Sequence, residues 1–217
     1  METAGPLSDA AFYRLVACAA PPDGPCAKPF YRWAKSDITV AITQSAPAFL
    51  GGKAKRADAA VVRAVQRLNA VGMSVTLRQT SGSADITVHL LDTARGTTIT
   101  NSTAPLLNGL TMANAITAFE VTAHDVTALD ATALDVTALD VTGSVITGAA
   151  IGVSNTLPLR QYESVLLEEI TQALGLITDI QNPYYETRSI LSQNADNSLK
   201  TLGTQDRMAL IRHYPPD

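Results

Sequence analysis

The chain has 217 residues, a formal net charge of -4, and 46% hydrophobic against 17% charged residues. That length and composition describe a globular chain able to bury a substantial core, as one sizeable domain or a domain with an insertion. The mild acidity supplies no basic patch, which argues against a nucleic-acid binder. No apolar run approaches the ~20 residues of a membrane-spanning helix, the stretch from Gly143 to Val153 being too short.

In chain order, Ser8 can cap a first helix carrying Phe12, Leu15 and Val16 on one face and ending before Pro21-Pro22. Cys18 and Cys26 bracket a turn-rich loop, and their spacing suits a disulfide, with two free thiols as the alternative. No signal-peptide pattern opens the sequence. A secreted or periplasmic location, with the chain read as a leaderless mature segment, is therefore the expectation, and the cytoplasm is the alternative.

Trp33 leads into Asp37 to Thr43, whose alternation predicts a strand. A helix from about Ala57 to Val71 follows, with Val61, Val65 and Leu68 as its buried stripe and Gly72 as terminator. Met73, Val75 and Leu77 alternate as a second strand, and Ile86, Val88 and Leu90 as a third. Strand, helix, strand, strand implies an α+β fold with a mixed sheet and a crossover helix.

From Ile116 to Ala150 the composition changes, and seven five-residue units place Thr117, Thr122, Thr127, Thr132, Thr137, Thr142 and Thr147 in register. Acidic residues Glu120, Asp125, Asp130, Asp135 and Asp140 recur likewise. A period of five fits neither a pleat nor a helix face. It resembles the pentapeptide repeats of square-sectioned β-solenoids, although Leu129, Leu134 and Leu139 stand where those repeats place a small residue. The segment is expected to be an insertion, either a short solenoid or a surface loop or distorted helix expanded by duplication. Ala150 to Ser154 predicts another strand, and Pro158 breaks the chain before the most informative stretch.

That stretch, Tyr162 to Leu176, reads as a helix that is apolar around most of its circumference. Glu168 and Gln172, four apart, share its narrow polar strip. Glu169 points into the apolar arc between Val165, Leu176 and Tyr162. A carboxylate aimed that way must be paired, hydrogen-bonded or neutral, unless a helix end or cleft lets it reach water. Asp179 to Ser198, rich in Asn, Gln, Ser and Tyr, is expected to be a long ordered loop. Thr204 can cap a last helix, Gln205 to His213.

The octet Glu168-Glu169-Ile170-Thr171-Gln172-Ala173-Leu174-Gly175 is similar to the H-E-x-x-H-x-x-G helix of zincin-fold zinc metallopeptidases. In that family two histidines bind zinc and the glutamate between them is the general base. The resemblance puts Glu168 and Gln172 at the histidine positions, Glu169 at the base, Gly175 at the turn glycine, and Thr178, with Asp179 beside it, at the third ligand. Ser189-Ile190-Leu191 resembles the methionine-containing turn of the related metzincins, with Leu191 in place of methionine. Leu202, Asp206, Leu210 and Tyr214 match the closing helix L-x-x-x-D-x-x-x-I-x-x-L-Y, with His213 replacing its leucine. A closer similarity is to an uncharacterised bacterial family whose helix reads E-E-x-x-Q-x-L-G-L.

The resemblance implies a zincin-like domain over residues 31–217, interrupted by the repeat at 116–150 and preceded by a helix and cysteine loop at 1–30. The substitutions speak against its cofactor. Gln172 is a poor zinc ligand, and Glu168 offers oxygen where zinc prefers nitrogen or sulfur. His89, His124 and His213 are single histidines without ligand spacing. Gly51-Gly52-Lys53 lacks phosphate-loop spacing, and no dinucleotide or nucleophile-elbow motif appears.

The leading expectation is thus a metallopeptidase-like domain without zinc that binds a peptide or protein partner. The alternatives are an atypical hydrolase using Glu168 and Glu169, with or without a metal, and a surface interaction protein acting through the five-residue repeat.

Overall fold

The computed structural model describes residues 1–124, 143–193 and 198–216. Four α-helices and a six-stranded, mostly parallel sheet form an α+β fold. The strands are β1 (Phe30–Trp33), β2 (Asp37–Ser45), β3 (Thr76–Gln79), β4 (Ile86–Leu91), β5 (Ala115–His124) and β6 (Gly143–Ser154). The helices are α1 (Asp9–Cys18), α2 (Gly52–Asn69), α3 (Tyr162–Ala173) and α4 (Thr204–His213).

Strands β3, β2, β4 and β6 run parallel in that spatial order, and α2 is the crossover between β2 and β3. β6 serves two parallel neighbours. Its first residues pair with β1 (Phe30 opposite Gly143), and its last with β4 (Ile86 opposite Ala149). β5 runs antiparallel along β6, from Ala115 opposite Val153 to His124 opposite Gly143.

The period of two sorts the side chains. Ile38 and Val40 of β2, Ile86, Val88 and Leu90 of β4, and Ile151 and Val153 of β6 enter the main core with the helices. On the opposite face Leu91 and Ala150 meet Ile99, Leu107 and Met112 in a smaller cluster. Each large side chain so buried contributes roughly 2 kcal/mol.

Several boundaries differ from the sequence expectations. α2 starts at Gly52 rather than near Ala57, and the strand expected at Met73 starts at Thr76. β1 carries too little alternation in its four residues to be predicted. Phe12, Leu15 and Val16 of α1 belong to the main core. The ends of the span read as an insertion, 116–124 and 143–150, are strands of the sheet itself. The central repeat units, with Asp125, Asp130, Asp135 and Asp140, lie outside the described residues.

Ser8 caps α1, its hydroxyl accepting from Ala11 N at 3.2 Å. Cys18 and Cys26 form a disulfide. Thr204 does not cap α4. The N-cap is Gly203, whose N–H donates to the Asp206 carboxylate at 2.8 Å. Among the described residues no helix is long and apolar enough to cross a membrane.

Candidate functional site

α3 is the hub of the molecule, and its two ends are fixed by different chemistry. At its start Glu163 takes ion pairs from Arg67 and, at 3.2 Å, from Arg63 of α2. Burial opposes the Glu163 charge, but the Arg67 hydrogen bond and both guanidiniums hold its carboxyl below the usual range. At the far end Trp33 Nε1 donates to the Ala173 carbonyl at 2.9 Å, and Tyr214 Oη to the Leu174 carbonyl at 2.7 Å. Gly175 then turns the chain at φ +104°, donating its N–H to Gln172 O.

The closing helix α4 accounts for this end. Its Tyr214 reaches Leu174, and its His213, fully inside the core, pairs through Nε2 with the Tyr31 carbonyl (2.8 Å) and through Nδ1 with Tyr13 Oη (3.2 Å). A neutral ring with Nε2–H donating and Nδ1 accepting satisfies both contacts, a tautomer assigned from the network. Burial chiefly pushes His213 down to about 3, so it stays neutral. His89 is likewise enclosed, against Thr87 Oγ1 (2.9 Å) and Gln44 Oε1 (3.2 Å), and burial lowers it to about 4. Both histidines hold structure together.

Asp206 of α4 links to the turn at Ser189-Ile190-Leu191. Its carboxylate accepts from Ser189 Oγ at 2.6 Å, Ile190 N at 3.0 Å and Gly203 N at 2.8 Å. Ser189 Oγ in turn accepts from Leu191 N, and Leu191 O receives Ile180 N, which places the turn beside the segment after α3. Leu191 is fully buried. Asp206→Asn exchanges an acceptor oxygen for a donor facing donors. It is expected to cost about 2 kcal/mol, read as a lower urea midpoint with unchanged slope.

A cleft of about 310 Å³ lies over the middle of α3. Glu168, Glu169 and Gln172 form its helical wall, Ile116 and Thr117 of β5 the facing wall, and Asp179 one end. Ser192, Gln193 and Arg95 also reach it. Four of the sequence-derived site residues therefore line one cavity: Glu168, Glu169, Gln172 and Asp179. Thr178 does not line it. Its N–H donates to Val16 O, and its hydroxyl is buried without a partner among the described residues.

Glu169 is 7% exposed, as its direction on the helical wheel implies. Thr117 Oγ1 donates to its Oε2 at 2.6 Å. Burial raises Glu169 to about 8, the Thr117 hydrogen bond lowers it partly, and the nearby Asp179 charge raises it again. At neutral pH Glu169 therefore carries a proton. Asp179 is also raised by burial, against the α-amino group of Met1, the Gln172 hydrogen bond and Lys28. Glu168, on the narrow polar strip of the helix, is 8% exposed and lines the cleft together with residues of β5 and the loop after α3.

The donor set does not fit zinc. Gln172 directs its amide N–H at Asp179 Oδ1 at 2.7 Å, and the third-ligand position is an alcohol. Among the described residues no group of three His, Cys, Asp or Glu is disposed to hold a metal ion.

Sequence reasoning missed Thr117, whose contact with Glu169 is hidden because it reads as the first threonine of the repeat. It missed Arg95, Ser192 and Gln193 as well, which carry no motif.

No curated protein matches the chain. The profile of the family described as a protein of unknown function (DUF2927) matches residues 13–217, from within α1 to beyond α4, and the chain belongs to that family.

Proposed function

We propose that this chain is a metallopeptidase-like domain of zincin type that works without zinc and holds an extended peptide segment of a partner protein. The single observation that carries this reading is the cleft between α3 and β5, centred on Glu168, Glu169 and Gln172. A solid apolar lid there would have left those residues a purely structural role.

Other features support the zincin comparison. A mixed sheet with a crossover helix precedes α3, Gly175 turns the chain after it, a buried turn carries Leu191, and α4 supplies Asp206 and Tyr214 to both. The antiparallel strand β5 pairs with β6 on one side and with no other strand among the described residues. A sheet edge beside a cleft suits an added peptide strand, the backbone supplying affinity and the cleft supplying selectivity.

The hydrolase alternative asks Glu169 to act as a base. In its protonated form it is an acid, and without a metal a bound water keeps its bulk acidity. Binding without turnover is the reading the geometry favours. Metal analysis of the purified protein should find no stoichiometric zinc, and addition of zinc should not raise the unfolding temperature. Tightly bound stoichiometric metal, or zinc-dependent cleavage of a mixed peptide pool, would overturn the proposal.

A further inference from the structure

The cleft has a chemical polarity that the fold comparison does not predict. Its lining is mostly polar, and Val165 from α3, Ile116 from β5 and Ile177 from the following loop give it apolar patches. Its carboxyls come from Glu168 and Glu169 of α3 and from Asp179 of the loop after it. Thr117 satisfies Oε2 of Glu169, while Oε1, on a side chain 7% exposed, has no partner among the described residues and belongs to the cavity lining. Gln172 satisfies Oδ1 of Asp179 in the same manner. Arg95 is the cation among the lining residues, and it is an exposed residue of the loop before β5.

Such a slot fits one kind of side chain. A long methylene stem is stabilised by apolar patches, and a cationic head is stabilised by the acceptor oxygens beyond them. An acidic side chain would meet the Asp179 charge, and an aliphatic one would leave those oxygens without a donor. Resting on the peptide-cleft reading above, we infer that the cleft selects a lysine or arginine side chain of the bound peptide, its stem against Val165, Ile116 and Ile177 and its head at Glu169 and Asp179. The peptide backbone lies along β5.

Pools of capped pentapeptides test this, with lysine, arginine, norleucine or glutamate fixed at the centre and mixed residues elsewhere. Binding to the full chain is read from amide shifts at Thr117 and Glu169 in labelled protein, and from dissociation constants. The lysine and arginine pools should bind about tenfold tighter than the norleucine pool, the effect of one charge-assisted contact. The glutamate pool should bind weakest. Glu169→Gln and Asp179→Asn should each reduce the lysine preference over norleucine. Equal binding of the lysine and norleucine pools with shifts at Thr117 would overturn the basic-side-chain inference and leave the peptide cleft standing. No shift with any pool would overturn both.

Discussion

Gly175→Ala is expected to be among the most damaging single substitutions in the chain, costing about 4 kcal/mol or preventing folding. Two independent constraints meet at this residue. Its φ of +104° is a conformation that residues with a Cβ rarely adopt. An added Cβ would also overlap the Tyr31 carbonyl oxygen and crowd His213 Nε2, which lies 2.7 Å from the Cβ position. The Tyr31 carbonyl is the partner of His213, and the neighbouring Leu174 carbonyl is the partner of Tyr214, so moving either unsettles the contact between α4 and the end of α3. Gly72→Ala is the control: φ there is +83°, but nothing lies within 4 Å of the added Cβ. That variant should lose only about 1 kcal/mol, the cost of the backbone conformation alone. Chemical denaturation of the two variants separates strain from clash, and equal losses would show that the Tyr31 contact does not matter.

The sequence alone carried this glycine as the end of a helix, but gave no sign of the carbonyl packed against it. The difference is general to the molecule. Features written in local periodicity were readable: the stripe of Val61, Val65 and Leu68 on α2, the alternation of Ile86, Val88 and Leu90, and the inward direction of Glu169 on α3. Features that arise when distant segments meet were not. Glu168 lies on the polar strip of the helical wheel and is buried where α3 meets β5 and the loop after the helix. β5 itself is masked because its residues from Ile116 onward share the composition of the five-residue repeat, although pairing with β6 makes them part of the sheet. Thr204 has the chemistry of a cap, yet the Asp206 carboxylate, needed to hold the Ser189 turn, also takes Gly203 N and shifts the start of α4 by one residue. The Asp206 position was legible as part of a closing-helix pattern, but the pattern says nothing of its three hydrogen-bond donors.

Glu169→Gln should stabilise the protein at neutral pH, by on the order of 3 kcal/mol at pH 7. The sign follows from the direction of the shift. In the unfolded chain the carboxyl ionises near its ordinary value of 4.5, whereas in the fold it stays protonated up to about 8. The folded state therefore holds a proton that the unfolded state has released. Stability from this group is fully present below pH 4.5, declines as the pH rises toward 8, and is lost above it. Glutamine keeps an acceptor for the Thr117 hydroxyl and has no charge to desolvate, so the penalty disappears. Asp179 and Asp206 are raised as well and add to the downward slope of the parent protein between acid and neutral pH. The informative quantity is thus the difference between parent and variant unfolding free energies, measured from pH 4 to pH 9. It should be near zero at pH 4 and grow to a plateau above pH 8. A flat difference, or a variant less stable than the parent at pH 7, would show that Glu169 is ionised and compensated in the fold. A carboxyl that weakens the fold where glutamine would strengthen it is hard to explain by packing alone. Its cost is intelligible if the acid is there to meet a ligand, which is why the stability profile and the peptide pools test one idea from two directions.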